Sequence, residues 1–272
     1  METITHTERD LHLDWLMQIT QIPTAAGKEQ RVIAWVQQWL KERPDLEHKV
    51  DASGNIIIRL RKAPKTQSPL YFTAHLDHPA FVLERVISPS VVELAFRGGV
   101  MDDYFVDGRV VLIDRNDSRF KGKLLERVEG NSPRFKFFLC ELDEETDSLV
   151  PGDVGVWDFP AADIAEVEGQ QCLRTNACDD LAALAAALSA MDAYRTRWAR
   201  QDEKNAETNS NPEGAQNKAS PAEALGNERP SDIRLLLTRA EEVGFIGAIG
   251  ACKHKTIEPG ARLIALENSR SF

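Results

Sequence analysis

The chain has 272 residues, a formal net charge of -10, 42% hydrophobic and 28% charged residues. That composition is globular and long enough for one large domain or two smaller ones. It holds no apolar run of membrane-spanning length, no basic segment followed by an apolar core at the N-terminus, and no basic stripe of the kind that tracks nucleic acid. A membrane role and a nucleic-acid partner are therefore not expected.

Residues 28–43 (KEQRVIAWVQQWLKER) put Val32, Val36, Trp39 and Leu40 on one helical face, and Pro44 helps to stop that helix. Residues 55–60 (NIIIRL) follow the turn pair Ser53-Gly54, and residues 70–74 (LYFTA) follow Pro69. Short continuous apolar runs of this kind suit strands buried on both faces. From about residue 81 to residue 169 the texture changes to short alternating stretches, VVELAF, RVVLI and FKFFL, separated by Gly, Asn, Asp and Pro. This predicts a small all-β unit, a barrel, over 81–169. A helix follows from Asp180 to about Ala199, rich in Ala and Leu. Residues 201–231 are polar, with Pro, Gly and Asn throughout, and are expected to be a disordered insertion. A buried strand over 233–238 (IRLLLT), a helix starting within 244–252 and a last strand over 262–266 (RLIAL) complete the pattern. The fold class is α/β: a mixed sheet flanked by helices, formed by 1–80 and 170–272, with a β-barrel inserted at 81–169. Cys140, Cys172, Cys178 and Cys252 form no CxxC pair, so they are expected to be buried free thiols in a reducing cytoplasm.

Four strand–turn junctions carry carboxylate or imidazole. His75-Leu76-Asp77 ends the LYFTA strand, where α/β sheets bind ligands; a His and an Asp two apart on a strand share a face, one as ligand and one orienting the ring. Asp179-Asp180 opens the Ala-rich helix. Capping explains Asp180, whereas Asp179 is a candidate bridge between two metals. Glu241-Glu242, within RAEEVG after the LLLT strand, suits a division of labour between a proton acceptor and a metal ligand. Glu267 follows the RLIAL strand. Oxygen and nitrogen donors without sulfur fit Zn²⁺, Co²⁺ or Mn²⁺.

The order HxD, Asp at a helix start, EEVGFIGA and a strand-end acid resembles the co-catalytic zinc exopeptidases. Within them it is most similar to the glutamyl-aminopeptidase family that includes the tetrahedral (TET) aminopeptidases, whose β-barrel also falls between HxD and the bridging Asp. The likeness extends over nearly the whole chain apart from 201–231. It implies a cytoplasmic metallo-aminopeptidase with two divalent ions, Zn or Co, acting on peptides and assembling as a homo-oligomer through the inserted domain. It implies His75 and Glu267 as ligands of the first ion and Asp179 as the bridge. It further implies Glu242 as a ligand of the second ion, Glu241 as general base and Asp77 as the residue that orients His75. Glu267 stands where the family often has Asp, and Cys178-Asp179-Asp180 where it has Leu-Asp-Asn. The family's last ligand is a histidine farther downstream than Phe272. The resemblance thus implies a C-terminally truncated form whose second site lacks an imidazole, with one tightly held ion and little or no turnover. Two alternatives stand beside it: a metal-dependent deacylase or carboxypeptidase, disfavoured by the all-β insert, and a non-catalytic homologue or assembly subunit.

Overall fold

The structure, a computed structural model, describes residues 6–210 and 230–268. Helices α1 (His6–Ile19) and α2 (Gln30–Lys41) precede strands β1 (Leu46–Val50), β2 (Ile56–Leu60) and β3 (Leu70–His75). Six strands then close a barrel: β4 (Ala80–Ser88), β5 (Val91–Arg97), β6 (Arg109–Ile113), β7 (Arg119–Val128), β8 (Lys136–Leu142) and β9 (Val154–Trp157), in the order β4-β5-β8-β7-β6-β9. A hairpin, β10 (Asp163–Val167) with β11 (Gln170–Arg174), leads to α3 (Leu181–Ser210). The chain then supplies β12 (Ile233–Thr238), α4 (Ile246–Lys253) and β13 (Arg262–Ala265).

The main sheet has the order β1-β2-β12-β3-β13. Its β2–β12 pair is antiparallel, and β3 runs parallel to both β12 and β13. Strand alternation separates its faces. Ile56, Ile58, Leu60, Leu235 and Leu237 join Trp15, Ile19, Val36, Trp39, Leu184 and Leu188 of the helices in the largest core. Ile57, Tyr71 and Leu236 look the other way, onto Ala251 of α4. The α2 face is the one its spacing predicts, with Val32, Val36, Trp39 and Leu40 buried. The barrel is filled by an aromatic cluster. Phe81 meets Phe96 at 5.0 Å and Trp157 at 4.9 Å between ring centroids, and Phe105 stacks on Phe138 at 4.4 Å. Edge-to-face and offset contacts of this kind add to the area they bury.

Several elements differ from the sequence reading. Helix α1 was not expected. Its apolar residues are mostly only partly covered, and Trp15 and Ile19 alone among them are buried. Strand β1 (LEHKV) is too polar to stand out and pairs as an edge on β2. Residues 163–174 form a hairpin separate from the barrel sheet, its Ile164 and Leu173 lining a cleft with α1 and α3. Residues 201–210, expected to be disordered, continue α3. Gln, Glu, Lys and Ala are good helix formers even without a core to cover, and Lys62 ties Asp202 back to the body. The remainder of that expectation, 211–229, lies outside the described residues. All four cysteines are free, but only Cys140 is fully buried, while Cys178 and Cys252 are exposed. They sit in the turn before α3 and at the end of α4, where neighbouring elements do not cover them. Among the described residues no helix is long and apolar enough to cross a membrane.

Candidate metal centre

Parallel register gathers the site. His75 at the end of β3 pairs with Thr238 at the end of β12. Ala265 of β13 pairs with Thr73, so Glu267 stands level with His75 two residues later. Strands running the same way deliver their C-terminal ends to one edge, the usual ligand position of an open α/β sheet. Asp179 and Asp180 arrive at the same edge from the turn into α3.

His75 is 3% exposed and lies at the centre. Its Nε2 is 3.1 Å from Asp179 Oδ1, 3.8 Å from Glu241 Oε2 and 3.9 Å from Glu267 Oε1. Its Nδ1 faces Asp77 Oδ1 at 3.4 Å. Asp77 is fully buried and also accepts the N–H groups of Glu241 (3.0 Å) and Glu242 (3.1 Å). It thus faces the ring and binds the glutamate turn at once. Donor atoms of His75, Asp179, Asp180 and Glu267 lie within 4.8 Å of one another, as do those of His75, Glu241 and Glu242.

The bland reading of Asp180 as a helix cap is corrected. Its Oδ2 accepts the His75 backbone N–H at 2.9 Å, binding the start of α3 to β3 rather than capping the helix. Two more residues, given no role by the sequence reading, stand at the site. His78 donates through Nδ1 to the Asp179 carbonyl. Gly98, at the end of β5, has φ +129°, and a Cβ there would lie 2.8 Å from Pro79 and 3.1 Å from Glu242 Oε2. A Gly-Gly pair at a strand end was a visible signal of close approach, but not of what approaches.

Charge crowding shapes the protonation of this centre. Burial disfavours a charged His75, but its hydrogen bonds to Asp179 and Asp77 outweigh that and push its pKa up to about 11. Burial, then the Asp179 charge, pushes Glu242 up to about 8. Burial pushes Asp180 up to about 7. Burial raises Glu241, with His75 opposing and Asp77 and Asp179 adding. Burial also raises Glu267, which shares a hydrogen bond with Asp179. For Asp179 burial works upward, yet the His75 and Glu267 hydrogen bonds hold it below the usual range.

These residues fit a divalent ion. Ligand atoms about 2.0–2.2 Å from a tetrahedral ion lie roughly 3–3.6 Å apart, close to the separations around His75 Nε2. Asp180 Oδ1 and Glu242 Oε1 are buried without a hydrogen-bond partner, an arrangement that is costly unless another group satisfies it. Protons held on Glu242 and Asp180 are those a cation would displace. Among the described residues no imidazole besides His75 belongs to either ligand group.

No family model matches the chain, and no curated protein matches it. Solved structures do. An aminopeptidase from the archaeon Desulfurococcus kamchatkensis superposes with a TM-score of 0.65 at 19% identity, over 96% of this chain and 64% of that one. A TET1 peptidase of Pyrococcus horikoshii, able to assemble into a tetrahedron or a large octahedral shell, gives 0.60 at 18% identity over 94% and 68%. A Thermotoga maritima protein described as an endoglucanase gives 0.58 at 18% identity over 94% and 66%. The chain thus spans 64% of the length of the Desulfurococcus structure. These likenesses establish the fold, an α/β sheet domain carrying a closed barrel.

Proposed function

We propose that this chain is the metal-binding part of a metallo-aminopeptidase, releasing N-terminal residues from peptides. The observation that carries the reading is a single buried imidazole, His75, ringed by Asp179, Glu241 and Glu267 within 3.9 Å at one sheet edge. His75, Asp179 and Glu267 would hold the first ion, with Asp180 close enough to contribute. Glu242 with Asp179 would hold the second. Divalent ions there, Zn²⁺ or Co²⁺, supply Lewis acidity toward the scissile carbonyl and toward water.

The chain's own groups do the rest. Glu241 takes the proton of the attacking water and returns it to the leaving nitrogen; a carboxyl raised above its ordinary pKa serves both directions. Asp77 fixes the ring of His75 and the backbone of Glu241 and Glu242 together. Asp179 and Glu267 are 42% and 51% exposed, so acid faces the solvent and attracts the ammonium of a peptide N-terminus. By analogy with the Pyrococcus assembly, the chain would form a homo-oligomer through the barrel, where Ile87 and Val106 are exposed.

A glycosidase reading, raised by the Thermotoga neighbour, requires two carboxylates flanking a sugar bond with room between them for the scissile linkage. Here His75 occupies that space, which favours the metal reading.

The test combines elemental analysis, titration with Zn²⁺ or Co²⁺ and an aminoacyl-amide assay. One ion is expected to be held tightly and a second weakly, with hydrolysis that is slight at stoichiometric metal and rises with excess. His75→Ala should abolish the tight site. Unchanged metal uptake in that variant would refute the assignment.

A further inference from the structure

The turn that carries the glutamate pair is held by an unusual set of acceptors. Four consecutive backbone N–H groups each end on a buried or part-buried side-chain oxygen. Arg239 N–H meets Asn55 Oδ1 at 3.2 Å, Ala240 N–H meets Glu29 Oε1 at 3.0 Å, and those of Glu241 and Glu242 meet Asp77. Ala240 has φ +51°, a left-handed conformation that a non-glycine residue rarely adopts. Something outside the turn must impose it.

Glu29 is placed to do so. It is fully buried and stands just before α2, yet it makes no side-chain cap to that helix. Its Oε1 accepts from Gly27 at 2.8 Å as well as from Ala240. Its Oε2 takes Arg239 Nε at 3.0 Å and Nη2 at 2.7 Å. The guanidinium has room because Gly54 offers no side chain; a Cβ there would lie 2.8 Å from Arg239 Nη1. Two guanidinium N–H groups converging on one carboxylate oxygen make charge-assisted hydrogen bonds, which are stronger than neutral ones.

We propose that Glu29 is a positioning residue for the reaction. With Arg239 it locks Ala240 in the left-handed conformation, and so sets the aim of Glu241 and Glu242 at the His75–Asp179 centre. This rests on the reading of Glu241 as base and Glu242 as ligand. Outer carboxylates that orient metal-site groups typically change metal affinity by about 10–100-fold when removed.

The test has a metal-free arm and a metal arm, both on the 272-residue chain. Amide hydrogen exchange in chelator compares the parent, Glu29→Ala, Glu29→Gln and the double variant Glu29→Gln with Arg239→Gln. The double variant keeps an oxygen for Ala240 and replaces the ion pair with a neutral amide pair. In Glu29→Ala, exchange over 239–245 is expected to rise about tenfold or more while the strands of the main sheet keep their protection. The double variant should restore protection that Glu29→Gln alone loses. Exchange that quickens only at the start of α2, or uniformly over the chain, would overturn the proposal. In the metal arm, Co²⁺ absorption is titrated. Glu29→Ala should weaken the Glu242-dependent ion by about tenfold or more and leave the tight ion unchanged. Local exchange without a change in that weak ion would overturn the positioning role while leaving the metal reading intact. A parent indistinguishable from Glu242→Ala in the titration would overturn both.

Discussion

At the residue scale, the site is a problem of too many carboxylates around one ring, and its chemistry follows from how the protons are shared. Glu241 lies 3.8 Å from His75 Nε2, and in the proposed assignment it is not a ligand of the tight ion. Glu241→Gln should therefore retain that ion while hydrolysis at excess metal falls by about 10²–10⁴-fold; loss of the ion in that variant would move Glu241 from base to ligand. The protons also predict a pH dependence. Glu242, at about 8, holds a proton in the folded state that the unfolded chain releases near its ordinary value, so its contribution to stability declines as pH rises towards 8. His75, raised to about 11, contributes fully below its unfolded value and loses that contribution as pH climbs toward 11. Both act in one direction. The thermal midpoint of chelator-treated protein should fall between about pH 7 and about pH 9, and added Zn²⁺ should flatten the slope because the ion takes the protons' place. A midpoint that rises over that interval without metal would contradict this charge assignment.

At the scale of elements, three parallel strand ends and one helix start share the work, and the barrel is pressed against them. Strand β4 begins at Ala80, five residues after His75, so the chain leaves the site directly into the barrel. Strand β5 returns Gly98 to Pro79 and Glu242. Gly98→Ala would put a Cβ into that contact at φ +129°. It is expected to destabilise the fold by more than about 1 kcal/mol and to displace Glu242. Chemical denaturation and the Co²⁺ titration measure the two effects separately. A variant as stable as the parent, with metal binding unchanged, would show that barrel and metal centre are not mechanically linked at this point.

At the scale of the whole molecule, the sheet is covered unevenly. One face lies under α1, α2 and α3, whereas β13 is an edge strand exposed along its length, with Leu263 49% and Ile264 44% exposed. Phe245, Ile246 and Ile249 at and near the start of α4 are exposed as well. Unpaired, apolar sheet edges favour association. Beyond any association through the barrel, the 272-residue chain should self-associate further with rising concentration in sedimentation experiments, and Ile264→Lys should shift it toward smaller species. If that substitution leaves the distribution unchanged, association runs through another surface, the barrel being the first to examine.

Much of this was legible in the residues. HxD after LYFTA, Asp179 before an Ala-rich helix, EEVG after LLLT and Glu267 after RLIAL each mark the end of an apolar strand or the start of a helix, and the apolar pattern alone locates such ends, although β13 proves to be exposed. The alternating texture of the barrel was equally plain, because a strand covered on one face repeats every two residues. By itself, then, the sequence determined the α/β-plus-barrel outline and the set of acids and imidazole to watch. It did not determine which oxygen meets which donor. That Asp180 binds the His75 amide, that Glu29 and Asn55 clasp a turn some two hundred residues away, and that Gly98 makes way for Glu242 depend on tertiary register. Such contacts have no period and no local signature, since a buried carboxylate is specified only by the donors that the completed fold brings to it.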